Sequence, residues 1–149
     1  MPEIISKDSH LYSRYLIGKA RHIMFQARQK ELRPQHISPR QANTLIIVYK
    51  LGGKATLAEL AKNTDRGINT LSIQMTRMEK DGLVRKVRKT PKTNQLRFEL
   101  TEKGFDTYNK IKKITSVKTI MSVLSEEQLR LLISMLETII AKAEKYTPY

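Results

Sequence analysis

The fold is constrained most strongly by a local pattern that marks three helix starts. A Ser or Thr is followed three residues later by Gln or Glu in three pairs: Ser38 with Gln41, Thr56 with Glu59, and Ser125 with Gln128. This is the capping-box pattern, in which each side chain of the pair accepts a hydrogen bond from a backbone N–H that the helix leaves without a partner. The sequence therefore predicts helices that begin just after residues 38, 56 and 125.

The first two of these helices belong to a run of short elements. The first has Pro39 at its first position and should end at the glycine pair 52–53. The second is short and should end near residue 62. The stretch NTDRG follows, and then another helix that ends near Gly82. A short helix, a tight connection and a second helix form a helix-turn-helix.

The spacing of apolar residues changes after Gly82, from the helical pattern to the alternation of a strand. The segments LVRKVRK and QLRFEL, at residues 83–89 and 95–100, are rich in Val, Leu and Phe, and the second alternates apolar with polar residues. They predict two strands joined by the loop TPKTN, which makes a hairpin. Eight basic and two acidic residues lie between Arg77 and Arg97, so this hairpin is the basic pole of the chain.

Long helical patterns lie on either side of this middle region. They span about residues 9–31, 102–124 and 126–146, and they carry apolar stripes at helical spacing. These stripes offer more apolar surface than the short middle region can cover, which favours packing of the outer helices against one another or a second copy of the chain. The residues predicted for a dimer interface are Tyr12, Leu16, Leu129, Leu132, Leu136 and Ile140.

The predicted fold is therefore mainly α, in the α+β class. It is a winged helix-turn-helix DNA-binding domain with a small β-hairpin wing, flanked by N- and C-terminal dimerisation helices. We expect one domain over residues 1–149, divided into an N-terminal helix in 1–35, the winged helix-turn-helix in 36–104 and C-terminal helices in 105–149. The recognition helix should cover about residues 68–81 and the wing about 83–100.

The charge of the chain narrows its function. Lys and Arg number 28 against 14 Asp and Glu, and the formal net charge of +14 favours a polyanionic partner, most commonly nucleic acid. A membrane partner is disfavoured because the longest apolar run is only Leu45 to Tyr49. The N-terminus lacks a secretory-signal pattern, so we expect a cytoplasmic protein. Cysteine is absent, the three histidines are widely spaced, and catalytic motifs are missing, which predicts no metal, no cofactor and no enzyme.

The helix that contains NTLSIQMTR has two different faces. Leu71, Met75 and Met78 recur at the spacing of one buried stripe. The opposite face lacks the Glu and Lys typical of a solvated helix and carries short hydrogen-bonding groups, one aliphatic residue and one arginine. Such groups can meet base edges in a major groove, and a solvated face without a partner is the alternative interpretation. The predicted base-reading residues are Asn69, Thr70, Ser72, Ile73, Thr76 and Arg77.

Two further groups are predicted to contact the DNA backbone. Helix N-termini favour anions, and the starts of two helices offer Ser38, Arg40, Gln41 and Thr56. The wing adds attraction that is independent of base sequence through Arg85, Arg88, Lys89 and Lys92. On the first long helix, the seven-residue spacing favours a solvated face over a second DNA contact for Arg14, Arg21 and Arg28.

Two motifs beside the hairpin are specific enough to suggest a family. They are RMEKDGLV at residues 77–84 and LTEKG at residues 100–104. Together with the order of the helices, they resemble the MarR (multiple antibiotic resistance regulator) family of winged helix-turn-helix repressors over nearly the whole chain. The resemblance implies a homodimer that binds a pseudo-palindromic double-stranded operator with one recognition helix per half-site. It also implies that a small aromatic or anionic effector releases the operator.

The sequence departs from that family's pattern at two places. The family wing carries Asp-x-Arg before its second strand, whereas the matching residues here are Lys92, Thr93 and Asn94. In the family that arginine reaches the minor groove; here the expected substitutes are Lys89, Lys92 or Arg88, with Asn94 as a weaker groove contact. Ile73 stands where many members have a basic or polar residue, so the operator sequence does not transfer from the family.

The first long helix is also where the family builds effector pockets. The resemblance therefore implies an effector site at Tyr12, Tyr15 and His22. Aromatic residues at helical spacing more often belong to a core or a dimer interface, which is the favoured alternative.

Two other classes of function remain open on the sequence. An architectural or nucleoid-associated protein would use the same charge on DNA without sequence preference. A winged-helix protein-interaction module would use its basic face for an acidic partner chain and would bind duplex DNA weakly even at low salt.

Overall fold

The computed structural model describes residues 3–88, 91 and 95–147. The regular elements, in chain order, are α1 (Ser9–Leu32), α2 (Pro39–Lys50), β1 (Lys54–Ala55), α3 (Leu57–Lys62), α4 (Ile68–Lys80), β2 (Val84–Arg88), β3 (Leu96–Leu100), α5 (Glu102–Ile111), α6 (Ser116–Met121) and α7 (Glu126–Glu144). Short 3₁₀ turns occur at Ile5–Lys7 and Arg33–Gln35. Helices α3 and α4 form the predicted helix-turn-helix, and β2 with β3 forms the predicted hairpin.

All three predicted capping boxes form. Ser38 Oγ accepts a hydrogen bond from the Gln41 N–H at 3.2 Å, and Gln41 Oε1 accepts one from the Ser38 N–H at 3.0 Å. The boxes that start α3 and α7 have the same reciprocal geometry. Helix α1 starts differently, because Asp8 caps it by accepting from the N–H groups of His10 and Leu11. The starts of these helices are therefore fixed by residues within one turn of them.

The three strands form one antiparallel sheet in the order β1-β3-β2. Strands β2 and β3 pair along their whole lengths. In strand β1, Lys54 pairs with Glu99. This strand was not predicted, because two residues are too few to show an alternation of apolar and polar side chains. It follows a turn in which Gly52 and Gly53 have φ of +90° and +88°, a left-handed conformation that favours glycine.

The core of the winged helix-turn-helix lies between its helices and the sheet. Leu71, Met75 and Met78 are fully buried there, which confirms the inward face predicted for α4. Leu45 of α2 and Phe98 of β3 belong to the same apolar cluster. Because one face of α4 is committed to this cluster, its other face is held toward solvent.

The single helix predicted over residues 102–124 is wrong. Helix α5 ends at Ile111, and α6 begins only at Ser116. Between them the Ile114 N–H donates to the carbonyl of Ile111 at 3.0 Å, a tighter turn than that of an α-helix. Ile114 packs against the core, and the run Ile-Thr-Ser-Val at residues 114–117 is rich in β-branched residues that disfavour helix.

The chain forms two compact units that meet in sequence between Ile114 and Thr115. The first contains α1 to α5 and the sheet. Helix α5, which the sequence analysis grouped with the C-terminal helices, packs on α2 and β3 within this unit.

The second unit contains α6 and α7. In α7, all of which the structure describes, none of the residues is buried. Leu129, Leu132 and Leu136 are half-buried, and Ile133 and Ile140 are exposed. In the described part of the chain, no helix is long and apolar enough to cross a membrane.

Candidate nucleic-acid interface

The outward face of α4 carries the residues that the sequence predicted. Asn69, Thr70, Thr76 and Arg77 are exposed, and Ser72 is half-buried. Ile73 lies among them with 60% of its surface exposed. An aliphatic side chain this exposed contributes little to the core and is accessible to a partner.

The polar groups on this face are partly oriented by the helix itself. Thr76 Oγ1 donates to the Ser72 carbonyl at 2.9 Å, which leaves the hydroxyl oxygen of Thr76 free to accept a hydrogen bond. The N-cap of α4 is Gly67, which has no side chain to cover the first backbone N–H groups of the helix. The outward face of α4 therefore offers donors at the N-terminus of the helix and an acceptor at Thr76, in its C-terminal half.

A cleft of about 330 Å³ joins this face to the start of α2. The lining residues are Ser38, Arg40, Gln41, Arg66, Thr70, Ile73, Gln74 and Arg77. The structure thus brings together the predicted N-terminal residues of α2 and part of the predicted recognition face of α4. Three arginines border the cleft, which makes it suitable for an anion.

Arg66 and Gln74 were missed by the sequence analysis. Gln74 Nε2 donates to the Arg40 carbonyl at 3.2 Å and to Thr44 Oγ1 at 3.0 Å. Arg66 donates to Gln74 Oε1, and also to the Arg40 carbonyl at 3.3 Å. Burial lowers the pKa of Arg66, and this effect is partly offset by Asp65. A signal for Gln74 was present, because it lies three residues after Leu71 and so borders the buried stripe.

Thr56 is the predicted phosphate contact that lies outside this cleft. Its hydroxyl accepts a hydrogen bond from the Glu59 N–H at 3.1 Å, and the residue is buried. The Thr56 N–H in turn donates to Glu59 Oε2 at 2.8 Å, and this backbone hydrogen bond is the main reason that the pKa of Glu59 is lowered. Ser38 caps α2 in the same way but is exposed, so burial is what distinguishes Thr56 and keeps its hydroxyl from a phosphate.

At the base of the predicted wing, Arg85 is engaged by an acidic residue. Its guanidinium lies 3.2 Å from Glu99 Oε2, while Lys54 Nζ lies 3.6 Å from the other oxygen of the same carboxylate. Arg88 is exposed at the end of β2. The predicted wing contacts Lys89, Lys92 and Asn94 lie outside the described residues.

The predicted effector residues on α1 are only partly brought together. Tyr15 and His22 line a hollow of about 440 Å³ with Leu11, Arg14, Gly18 and Lys19. Among the described residues, Tyr12 stacks on Tyr15 at a centroid distance of 6.3 Å but does not belong to this lining. A second hollow of about 220 Å³ is lined by Gly18, Arg21, His22, Phe25 and Arg40, so Arg40 borders both this hollow and the cleft beside α4.

Solved structures with the same arrangement of elements cover most of the chain. The ligand-free organohalide-sensing transcriptional regulator RdhR-CbdbA1625 superposes with a TM-score of 0.85 at 26% identity, over 99% of this chain and 88% of that one. AbsC, a MarR family transcriptional regulator from Streptomyces coelicolor, gives 0.83 at 24% identity, over 93% and 96%. MepR of S. aureus, in a complex with DNA, gives 0.77 at 23% identity, over 87% and 96%.

The chain has the fold of the MarR-family transcriptional regulators. The winged helix-turn-helix fold predicted from the sequence is thereby confirmed. No protein-family model matches the sequence, and a search of curated proteins finds no match. The MarR-fold proteins it resembles are transcriptional regulators and not enzymes, in agreement with the expectation from the sequence.

Proposed function

We propose that the chain is a sequence-specific, double-stranded-DNA-binding transcriptional regulator, and that it acts as a homodimeric repressor of a pseudo-palindromic operator. The observation that carries the proposal is the cleft between α2 and the exposed face of α4, with its three arginines. MepR, whose fold this chain shares, has been solved bound to DNA. The net charge of +14 supplies the long-range attraction that such a partner needs.

In this proposal α4 enters the major groove. Asn69, Thr70 and Ser72 are short enough to let the helix approach the base edges, and Arg77 is long enough to donate two hydrogen bonds to a guanine. Ile73 contacts a thymine methyl group, which accounts for its exposure. Ser38, Arg40 and Gln41 hold a phosphate at the start of α2, and the wing follows the neighbouring backbone.

The function is tested by selecting bound duplexes from a random library at increasing salt. An inverted repeat whose half-sites lie about one helical turn apart is the expected result. Recovery of no motif, with affinity that falls steeply with salt on every duplex, would replace the proposal with an architectural DNA-binding role.

The assignment of Arg77 as a base reader is tested on the selected operator. Arg77→Ala should weaken operator binding by about 1–3 kcal/mol and leave binding to random duplex much less affected, because a base contact is lost. Lys62→Ala, which removes an exposed cation outside the cleft, is the control. Equal losses on the two duplexes for Arg77→Ala would refute its role as a base reader.

We propose that the outer helices form the homodimer interface, as the sequence analysis predicted. Support comes from the exposed apolar side chains of α7, including Ile133 and Ile140, and from exposed Leu16 on α1. A charge at Leu136 should therefore dissociate the dimer. Sedimentation equilibrium on Leu136→Glu should give a monomer, whereas Glu137→Gln, at the next and exposed position, should remain a dimer. A dimeric Leu136→Glu variant would contradict this assignment.

We propose that a small aromatic anion binds in the hollow lined by Arg21, Phe25 and Arg40, and that its binding causes release of the operator. The anion would pair with Arg40 and so compete with the phosphate that the same side chain binds. A form of RdhR-CbdbA1625 has been solved with 2,4-dichlorophenol bound. Titration with benzoate, and with 2,4-dichlorophenol in a buffer alkaline enough to form its phenolate, should weaken operator binding by the wild type but not by Arg21→Gln, with Arg28→Gln as the control. If the ligands weakened operator binding equally in the wild type and in Arg21→Gln, this hollow would not be the effector site.

A further inference from the structure

The side chains of Arg66 and Gln74 form a polar clasp between the recognition helix and α2. We infer that this clasp positions α4 for sequence reading, and that Arg66 and Gln74 are positioning residues rather than readers of DNA. The inference deepens the proposed function and rests on it for its DNA readout. It concerns residues of the same cleft that the sequence analysis left unassigned.

The hydrogen bonds of the clasp converge on one backbone atom of α2. The Arg40 carbonyl accepts from Gln74 Nε2 at 3.2 Å, from Arg66 at 3.3 Å and from Thr44 Oγ1 at 3.1 Å. Gln74 Nε2 also donates to Thr44 Oγ1 at 3.0 Å, and Gln74 Oε1 accepts from Arg66. Both functional groups of the Gln74 amide are thus used within the protein, so little capacity remains for a base.

The location of the clasp explains why it matters. Thr44 is fully buried, so the partner on α2 is fixed by the core. Gln74 lies next to Ile73 and one turn after Thr70, both of which border the cleft. Rotation or translation of α4 would break the bonds of Gln74 before it changed the apolar packing by much, since hydrogen bonds depend on direction and apolar contacts do not. The clasp therefore restricts the orientation of the reading face.

Arg66 contributes geometry that a lysine cannot supply. Its planar guanidinium bonds two acceptors on two different elements, Gln74 on α4 and the Arg40 carbonyl on α2. A lysine keeps the charge but has one shorter-reaching ammonium group. The substitution Arg66→Lys thus separates a positioning role from a charge role.

The experiment compares operator and random-duplex affinity, each over a salt series, for the wild type and five variants. Arg66→Lys and Gln74→Leu should each lower the ratio of operator to random-duplex affinity about tenfold, with an unchanged salt slope. Because both break one clasp, the double variant should lose little more than either single variant. Lys62→Gln, an exposed cation outside the clasp, should keep the ratio.

Two results would overturn the inference. If Arg66 contacted phosphate instead, Arg66→Lys would bind like the wild type, and Arg66→Gln would weaken both duplexes alike and reduce the salt slope by about one. If Gln74→Leu kept the wild-type ratio, the clasp would not position the helix.

A second measurement on the free protein does not depend on DNA. Hydrogen exchange of the backbone amides of residues 71–76 should be faster in Gln74→Leu than in the wild type at equal global stability, because α4 has lost a tie to α2. Unchanged exchange would overturn the clasp even if the wild type selected an operator. Faster exchange in a protein that selects no operator would leave the clasp standing and refute the proposed function instead.

Discussion

The close approach of α5 to the turn after α4 leads to a strong effect on stability. Gly104 lies in the first turn of α5, and its N–H donates to Thr101 Oγ1 at 3.0 Å. A methyl group at this position would lie 3.2 Å from the carbonyl carbon of Leu83, closer still to its oxygen, and 3.3 Å from Leu100 Cδ2. The nearest atoms belong to the backbone and cannot rotate away. Gly104→Ala must therefore displace the start of α5.

The size of the effect follows from what the displacement costs. Overpacking costs about 1–3 kcal/mol. Loss of the Thr101 cap adds about 1 kcal/mol. The hydrogen bond from the Thr101 N–H to the Leu83 carbonyl, 3.1 Å long, adds about 1 kcal/mol more. The higher helix propensity of alanine offsets about 1 kcal/mol of this loss of stability. We expect the free energy of unfolding to fall by about 2–4 kcal/mol.

Urea denaturation at a fixed protein concentration measures this change. Gly18→Ala is the matched control, since the same substitution within α1 meets no described atom within 4 Å. It should raise the free energy of unfolding by about 0.5–1 kcal/mol. If Gly104→Ala unfolded at the same urea concentration as the wild type or a higher one, the close approach of α5 to Leu83 would be refuted.

Two carboxylates give further predictions. Glu99→Gln should free Arg85 and Lys54 from their shared carboxylate. Affinity for random duplex should then rise about threefold at low salt and depend more steeply on salt concentration. Unchanged affinity would mean that Glu99 does not restrain either cation. The lowered pKa of Glu59 means that its carboxylate stabilises the fold above its unfolded pKa, and that this stability is lost as the pH falls through the folded pKa. Glu59→Gln keeps an acceptor for the Thr56 N–H but cannot titrate. Between about pH 6 and about pH 3.5 the free energy of unfolding should therefore fall more for the wild type than for the variant. Equal falls in the two proteins would contradict this prediction.

The features that could be predicted from the sequence are those that neighbouring residues determine. Each capping box is complete within four residues, so the starts of α2, α3 and α7 were readable. The inward face of α4 was readable because helical spacing alone places Leu71, Met75 and Met78 on one side. The outward face, which carries the predicted base-reading residues, followed as its complement.

The features that were missed depend on residues far apart in the chain. Arg66 and Gln74 bond the Arg40 carbonyl across 26 and 34 residues, and no local pattern indicates which acceptor they will meet. Strand β1 exists only because β3 lies beside it. The interruption between α5 and α6 coincides with the packing of half-buried Ile114 against the core, and the apolar spacing of the sequence does not indicate that contact.

The positive charge of the hairpin is not equally available at each of its cations. Counting basic residues identified the hairpin as the basic pole, yet the count gives every cation the same weight. The carboxylate of Glu99 lies between Arg85 and Lys54 at the base of the hairpin, so two positive charges there are partly neutralised. Arg88, farther along β2, is exposed, and the sequence places Lys89 and Lys92 beyond it. Among the described residues, the attraction for a phosphate backbone should therefore be stronger at Arg88 than at Arg85, and strong in the cleft beside α4, where Arg40 and Arg77 lie.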